Sequence, residues 1–238
     1  LNATFTKPGV FTPSTNWISN AFAQREFNTA FEGETGGFST KLDHAYNKKL
    51  NVSIGSFVEY SRFKDSFDTR DFLTAGLDSS ISYDGRDSKI EPTKGIFAKL
   101  SAKPFHEFQS SNFGVKLDAE LKTYLALDDE GKTVIAARLK AGSILGLASN
   151  ETPNNFQYLA GGGGSVRGFA FKNIGVRDAA GNLTGGQSVF ETSVELRQRL
   201  NDTFGIVAFA NAGSVGSGSF VDFSKQLSMS AGLGIPQT

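Results

Sequence analysis

The sequence predicts an all-β chain of antiparallel strands, each with one apolar and one charged face. Three observations carry that reading. Period-two alternation runs almost unbroken along the 238 residues, whereas helical periodicity is hard to find. The strands so outlined run to roughly 9–14 residues, beyond the usual five or six. Large apolar area comes mostly from rings, with 22 Phe against one Met and one Trp, and rings suit pleated strands.

In chain order, alternating stretches lie at about 2–10, 20–33, 38–46, 50–63 and 72–84. In 96–103 ("IFAKLSAK"), Ile96, Ala98, Leu100 and Ala102 oppose Lys99, Ser101 and Lys103. The clearest case is 113–125 ("FGVKLDAELKTYL"), where Phe113, Val115, Leu117, Ala119, Leu121 and Leu125 oppose Lys116, Asp118, Glu120 and Lys122. In 134–142, Ile135, Ala137, Leu139 and Ala141 oppose Arg138 and Lys140. In 189–199, Phe190, Val194 and Leu196 oppose Glu191, Glu195, Arg197 and Arg199. Stretches at 204–213 and 228–235 complete about eleven strands. Turn signals such as "TPSTN" at 12–16, "DSKIEPTKG" at 87–95 and "LDDEGK" at 127–132 separate them.

A soluble β-sandwich also alternates. Strand length, the dense charge of both signs on the wet face and the composition of the dry face point instead to an antiparallel transmembrane β-barrel. That dry face is rich in Ala, Leu and Val, and Tyr60, Phe63, Tyr83, Phe105, Phe108 and Phe204 stand near strand ends as aromatic girdles do. No apolar run of about 18 residues occurs, which excludes a transmembrane helix. Lys+Arg and Asp+Glu both total 24, so net charge is zero and a nucleic-acid binder held by phosphate contacts is not expected. The chain has no Cys, and hence neither disulfides nor thiolate metal sites. It begins at Leu1 without a signal peptide, as a mature product or, the reading preferred here, a piece of something longer.

One word breaks the pattern: "GGGGSVRGFAF" at 161–171. Gly163 and Gly168 have phosphate-loop spacing, but Phe169 and Ala170 stand where Lys and Ser/Thr are required, and no helix follows. The dinucleotide pattern Gly-x-Gly-x-x-Gly does not fit. "RGFAFKNI" at 167–174 matches the first five positions of an RNA-recognition strand, then places Lys172 and Ile174 where Val and an aromatic belong. That strand also needs a sheet backed by helices. His44 and His106 lie far apart without ligands at metal spacing, and no Gly-x-Ser-x-Gly elbow occurs. No catalytic centre, metal or cofactor is expected.

Together with its surroundings, "YLAGGGGSVRGFAFKNIGVRDAAGNLTGGQSVFETSVELRQRL" at 158–200 resembles the signature of the BamA/TamA superfamily of outer-membrane insertase barrels, most like its TamA branch. "YDGRDSKIEPTKGIFAKLSAKP" at 83–104 is similar to that family's periplasmic turn, "VIAARLKAGSILG" at 134–146 to the strand before its long loop, and "FGIVAFANAGSV" and "SAGLGI" to later strands. The resemblance implies a bacterial outer-membrane barrel of sixteen strands, of which this chain would supply strands four to fourteen. Residues 1–238 would then be one partial barrel domain of about eleven strands, without the upstream POTRA domains or the first and last barrel strands.

The resemblance further implies that the loop after family strand eleven folds back into the lumen. Its tip would be Val166, Arg167, Gly168 and Phe169, with Gly161, Gly162, Gly163 and Gly164 allowing close backbone packing and Arg167 acting as a charged latch on Glu195. Two departures stand out. The usual Phe-x-Asp-x-Gly reads Phe209-Ala210-Asn211-Ala212-Gly213, so the latch should lean on Glu195 with Asn211 sharing it, and Pro236 stands near an expected Arg-Tyr. The implied function is insertion or secretion of β-barrel proteins such as autotransporters, with membrane lipids, client outer-membrane proteins and a TamB-like periplasm-spanning partner. BamA itself and a two-partner-secretion transporter are alternatives within the superfamily. A plain diffusion porin, which would not need the glycine-arginine word, is a third.

Overall fold

The computed structural model describes residues 1–66, 68–201, 203–223 and 227–235. Pro236 lies outside them. The strands are β1 (Asn2–Lys7), β2 (Thr15–Phe27), β3 (Phe31–Ala45), β4 (Leu50–Asp65), β5 (Thr69–Asp84), β6 (Gly95–Glu107), β7 (Asn112–Ala126), β8 (Thr133–Leu145), β11 (Ser188–Arg199), β12 (Gly205–Gly216) and β13 (Ser228–Gly234), with a two-residue hairpin of β9 (Val176–Arg177) and β10 (Leu183–Thr184) between β8 and β11. The long strands form one eleven-stranded antiparallel sheet in the order β1-β2-β3-β4-β5-β6-β7-β8-β11-β12-β13, with β1 and β13 at its edges. No helix occurs among the described residues.

The alternation sorts residues inside out. On β7, Leu117, Leu121 and Leu125 are exposed while Lys116, Asp118, Glu120 and Lys122 on the opposite face are partly covered. Ile54, Val58, Leu77, Ile81, Leu100, Leu139, Val194 and Ile206 continue the exposed apolar band across neighbouring strands. A water-soluble protein rarely exposes so large a contiguous apolar surface, whereas lipid covers it at no cost. The other face is concave, because a single loop after β8 touches it from β2 to β13.

Local chemistry sets the strand limits. The expected strand 20–33 is interrupted after Phe27, because the Asn28 side chain accepts hydrogen bonds from the amides of Ala30 and Phe31 and turns the chain into β3. The stretch 38–46 is therefore the second half of β3. Pro104 has no amide to donate, and it falls where the β5–β6 ladder is interrupted between Gly76↔Phe105 and Ser79↔Ala102.

At the rim opposite the long loop, the β5–β6 turn is held by two carboxylates. Asp84 takes Arg86 in a two-pronged contact at 2.8 and 2.9 Å. Asp87 accepts the Thr93 hydroxyl at 2.6 Å and the amides of Ser88, Thr93 and Lys94 at 2.9–3.2 Å. Gly95 closes the turn at φ +107°, where a Cβ would collide with the Gly85 carbonyl.

Four of the six aromatics expected as girdles, Tyr60, Tyr83, Phe108 and Phe204, are exposed on the outside, but Phe63 and Phe105 are each only 1% exposed. They face inward. Phe63 packs edge-on against Phe31, and Gly33 clears room for its ring. Phe105 meets Phe156 of the long loop at 4.8 Å, centroid to centroid. The loop turns part of the lumen wall into an apolar core, and that is why these two rings point into it.

Candidate functional site

The loop spanning residues 146–187 enters the concave side in two parts. Its base is seated by rings and lysines. Phe156 is wedged between Phe105 and Phe57, its carbonyl accepts a 2.8 Å hydrogen bond from Lys116, and the Lys103 ammonium lies 3.8 and 4.4 Å from the Phe57 and Phe156 ring centroids. The Tyr158 hydroxyl sits 3.0 Å from both the Leu117 carbonyl and Asp118 Oδ1, over Gly142, where any Cβ would strike the ring. Asn154 and Asn155 donate to Asp65 and Glu59 of β4 at 2.9 and 2.8 Å.

Beyond Tyr158 the chain pairs with its own return, Tyr158 with Gly186 and Ala160 with Ile174, and then makes a tight turn. The Gly161 amide donates to Ser165 Oγ at 3.0 Å and the Gly162 amide to the Val166 carbonyl at 3.2 Å. Gly161 and Gly162 have φ of +107° and +101°, and a Cβ on Gly161 would lie 2.6 Å from the Ala170 carbonyl. Gly163 and Gly164 have open space around their Cα atoms. Backbone therefore packs closely at the first two glycines but not at the second two, which form the exposed crest of the turn.

The tip lies against β11, β12 and β13. Val166 is fully buried, in space left by the missing side chain of Gly213. The Arg167 guanidinium lies 2.5 Å from Glu195 Oε1, 3.4 Å from Asn211 Oδ1, and 3.9 Å above the Phe209 ring. Register explains the seat: Glu195 pairs with Phe209 and Phe209 with Gly232, so the ring stands between an acid and the space left by the missing side chain of Gly232. Ser230 Oγ donates to the Arg167 carbonyl and accepts from Asn211 Nδ2 at 3.3 Å. Gly168 has φ +90°, and a Cβ there would lie 3.2 Å from Ser230 Cβ, while Phe169 packs against the core under the loop.

Sequence reasoning placed Arg167, Glu195 and Asn211 in one contact, and missed Phe209, Ser230, Arg197 and Arg138. Glu195 is shared, because Arg197 reaches its other oxygen at 2.6 Å. Arg138 bonds Glu120 at 2.7 Å, Glu191 at 3.2 Å and the Gly164 carbonyl at 3.0 Å, tying the glycine crest to β7, β8 and β11. Inward parity put Arg138, Glu120 and Glu191 on the charged faces of their strands; only the register between strands makes them neighbours under the loop. His44 shares a 2.8 Å hydrogen bond with Thr15, and His106 lies edge-on to Phe108. Among the described residues no group of three or more His, Asp or Glu side chains is placed to hold a metal ion.

The Omp85 superfamily domain matches residues 1–236. The outer membrane protein assembly factor BamA of Nitratidesulfovibrio vulgaris (strain Hildenborough) is 24% identical over 208 residues, covering 81% of this chain and 26% of the relative. The crystal structure of BamA from Haemophilus ducreyi lacking POTRA domains 1–3 superposes with a TM-score of 0.83 at 20% identity, over 98% of this chain and 55% of that one. The chain thus spans about a quarter of the curated relative's length. By its sequence match and its inside-out sheet, the chain belongs to the Omp85 superfamily, a family of outer-membrane β-barrels.

Proposed function

We propose that this chain is the barrel portion of a non-enzymatic outer-membrane assembly or translocation factor, with Arg167 as the latch that seats its inward loop. The observation that carries the reading is the contact of Arg167 with Glu195, Asn211 and Phe209. A loop held across the lumen by directional contacts that water or salt can loosen suits a factor that admits clients, which needs an element that can be seated and released. The assembly-factor relative supports the same reading.

Client outer-membrane proteins, autotransporters among them, are the proposed substrates, membrane lipid is the surroundings, and a TamB-like periplasm-spanning protein is the proposed partner. Nucleic acid has no role. The test is reconstitution of the full-length protein in liposomes, with folding of an added client barrel followed over time. Faster client folding with the native protein, lost in Arg167→Ala, supports the proposal. A rate equal to that of empty liposomes refutes it.

A further inference from the structure

Five residues after Arg167, Lys172 makes an ion pair with Glu26 of β2. The two contacts lie at opposite ends of the sheet. From β2 to β11 there are seven strand spacings, about 34 Å along the sheet, whereas residues 167–172 span at most about 17 Å fully extended. The long side chains add reach at both ends, but the segment turns at Lys172 rather than running extended, so the two contacts are met by a sheet that curls towards itself.

Lys172 is also one of three non-glycine residues with positive φ among the described residues, at +52°. A side chain with a Cβ is disfavoured there, and such a conformation persists only where its surroundings hold it. Its amide donates to the Gly161 carbonyl at 3.3 Å, and its ammonium lies within 6.0 Å of the Phe31 and Phe171 ring centroids. Glu26 is prepared for it, since the Asn28 side chain donates to the same carboxylate at 2.8 Å. The two side chains are 31% and 24% exposed, so the pair is partly screened from water.

We propose that Lys172 and Glu26 form a second positioning pair, which makes segment 167–172 a cross-brace joining β2 to β11–β13 and fixing the width of the lumen under the loop. Gly would suit the backbone of position 172 better than Lys; the charge is what Lys supplies. The proposal deepens the reading of the loop as a seated element of an assembly barrel and rests on it.

The test uses the full-length protein in liposomes, with protease cleavage within 161–175 as one readout and client folding as the other. Lys172→Glu and Glu26→Lys should each raise the cleavage rate about tenfold, and the double reversal should return it to within about twofold of the native rate. Lys172→Gly relieves the backbone and removes the charge, and should cleave like the single reversals. Additive single and double effects, or a Lys172→Gly protein as protected as the native one, would overturn the brace. Should a reversal fail to fold, Lys172→Gln and Glu26→Gln replace it, with the same cleavage rise expected and native protection overturning the proposal. Protease results that follow the brace while client folding stays at the empty-liposome rate would sink the assembly reading and leave the brace standing.

Discussion

The base and the tip of the inward loop are held by different physics. At the base, Phe156 is 3% exposed among Phe57, Phe105 and two lysines, and its seat forms mostly through removal of ring surface from water. At the tip, the Arg167 side chain is 25% exposed and is held by a carboxylate, an amide and a ring face, contacts that weaken when water or salt enters. A loop meant to be permanent would be built like the base throughout. Having the first kind of anchor near the strands and the second kind at the end gives a loop whose root stays put while its tip can let go.

The largest effect should come from the base. Phe156→Ala removes a buried ring and leaves a cavity between Phe57 and Phe105, which costs about 3–5 kcal/mol. Urea unfolding in detergent micelles should show it, with little dependence on salt. Equal stability of variant and native protein would mean that the base is not an apolar anchor.

Arg167→Ala should cost less, about 1–2 kcal/mol. An arginine with sole charge of a buried acid would cost more, but Glu195 keeps Arg197 as its second partner and so is not left bare. Protease access to the tip should rise in this variant and in native protein at about 1 M salt, where the screening length falls to about 3 Å. Salt that opens base and tip alike would erase the distinction between them.

Asn211→Asp sharpens the picture of the tip. The carboxylate improves attraction for Arg167, yet loses the Nδ2–H that now donates to Ser230, and the serine hydroxyl is drawn from the Arg167 carbonyl towards the new acid. The two changes oppose, and the net shift should stay within about 1 kcal/mol. Ser230→Ala should weaken tip protection in the native background and much less when combined with Asn211→Asp. Equal effects of Ser230→Ala in both backgrounds would show that the relay through Ser230 is not what positions the arginine carbonyl.

The sheet was legible because period two is a property of neighbouring residues, and β7 displays it without a break. Strand ends were less so, since an asparagine side chain that bonds two amides, as Asn28 does, looks the same in sequence as one that does not. The tip was legible through its motif, and the base was not: Phe156 and Tyr158 sit in a stretch without periodicity. Phe63 and Phe105 were misjudged although a signal existed. Phe63 shares parity with Glu59 and Ser61, and Phe105 with Ser101 and Lys103, so each belongs to the wet face. A ring on the wet face of a barrel strand marks a place where something apolar is inserted, and here it is the loop.

The smallest expected effect lies at the far rim and serves as a control for both loop regions. Hydrogen bonds from the Thr93 hydroxyl, and then from the amides of Lys94, Thr93 and Ser88, hold the Asp87 carboxyl down to about 2, from an ordinary 3.8. A depressed carboxyl stabilises the fold fully above its unfolded value, and the contribution disappears as pH falls through the folded one, so the window is about pH 4 to 2. Asp87 is solvent-exposed, and water screens much of the gain. Asp87→Asn should therefore lower stability at pH 7 by less than about 1 kcal/mol. It should also flatten the stability profile between pH 4 and 2, with tip and base protection unchanged. Micelle unfolding across that range, run beside Arg167→Ala, is the measurement. A loop tip that opened in Asp87→Asn would couple the two rims through the strands, and base and tip would then no longer be independent of the wall that carries them.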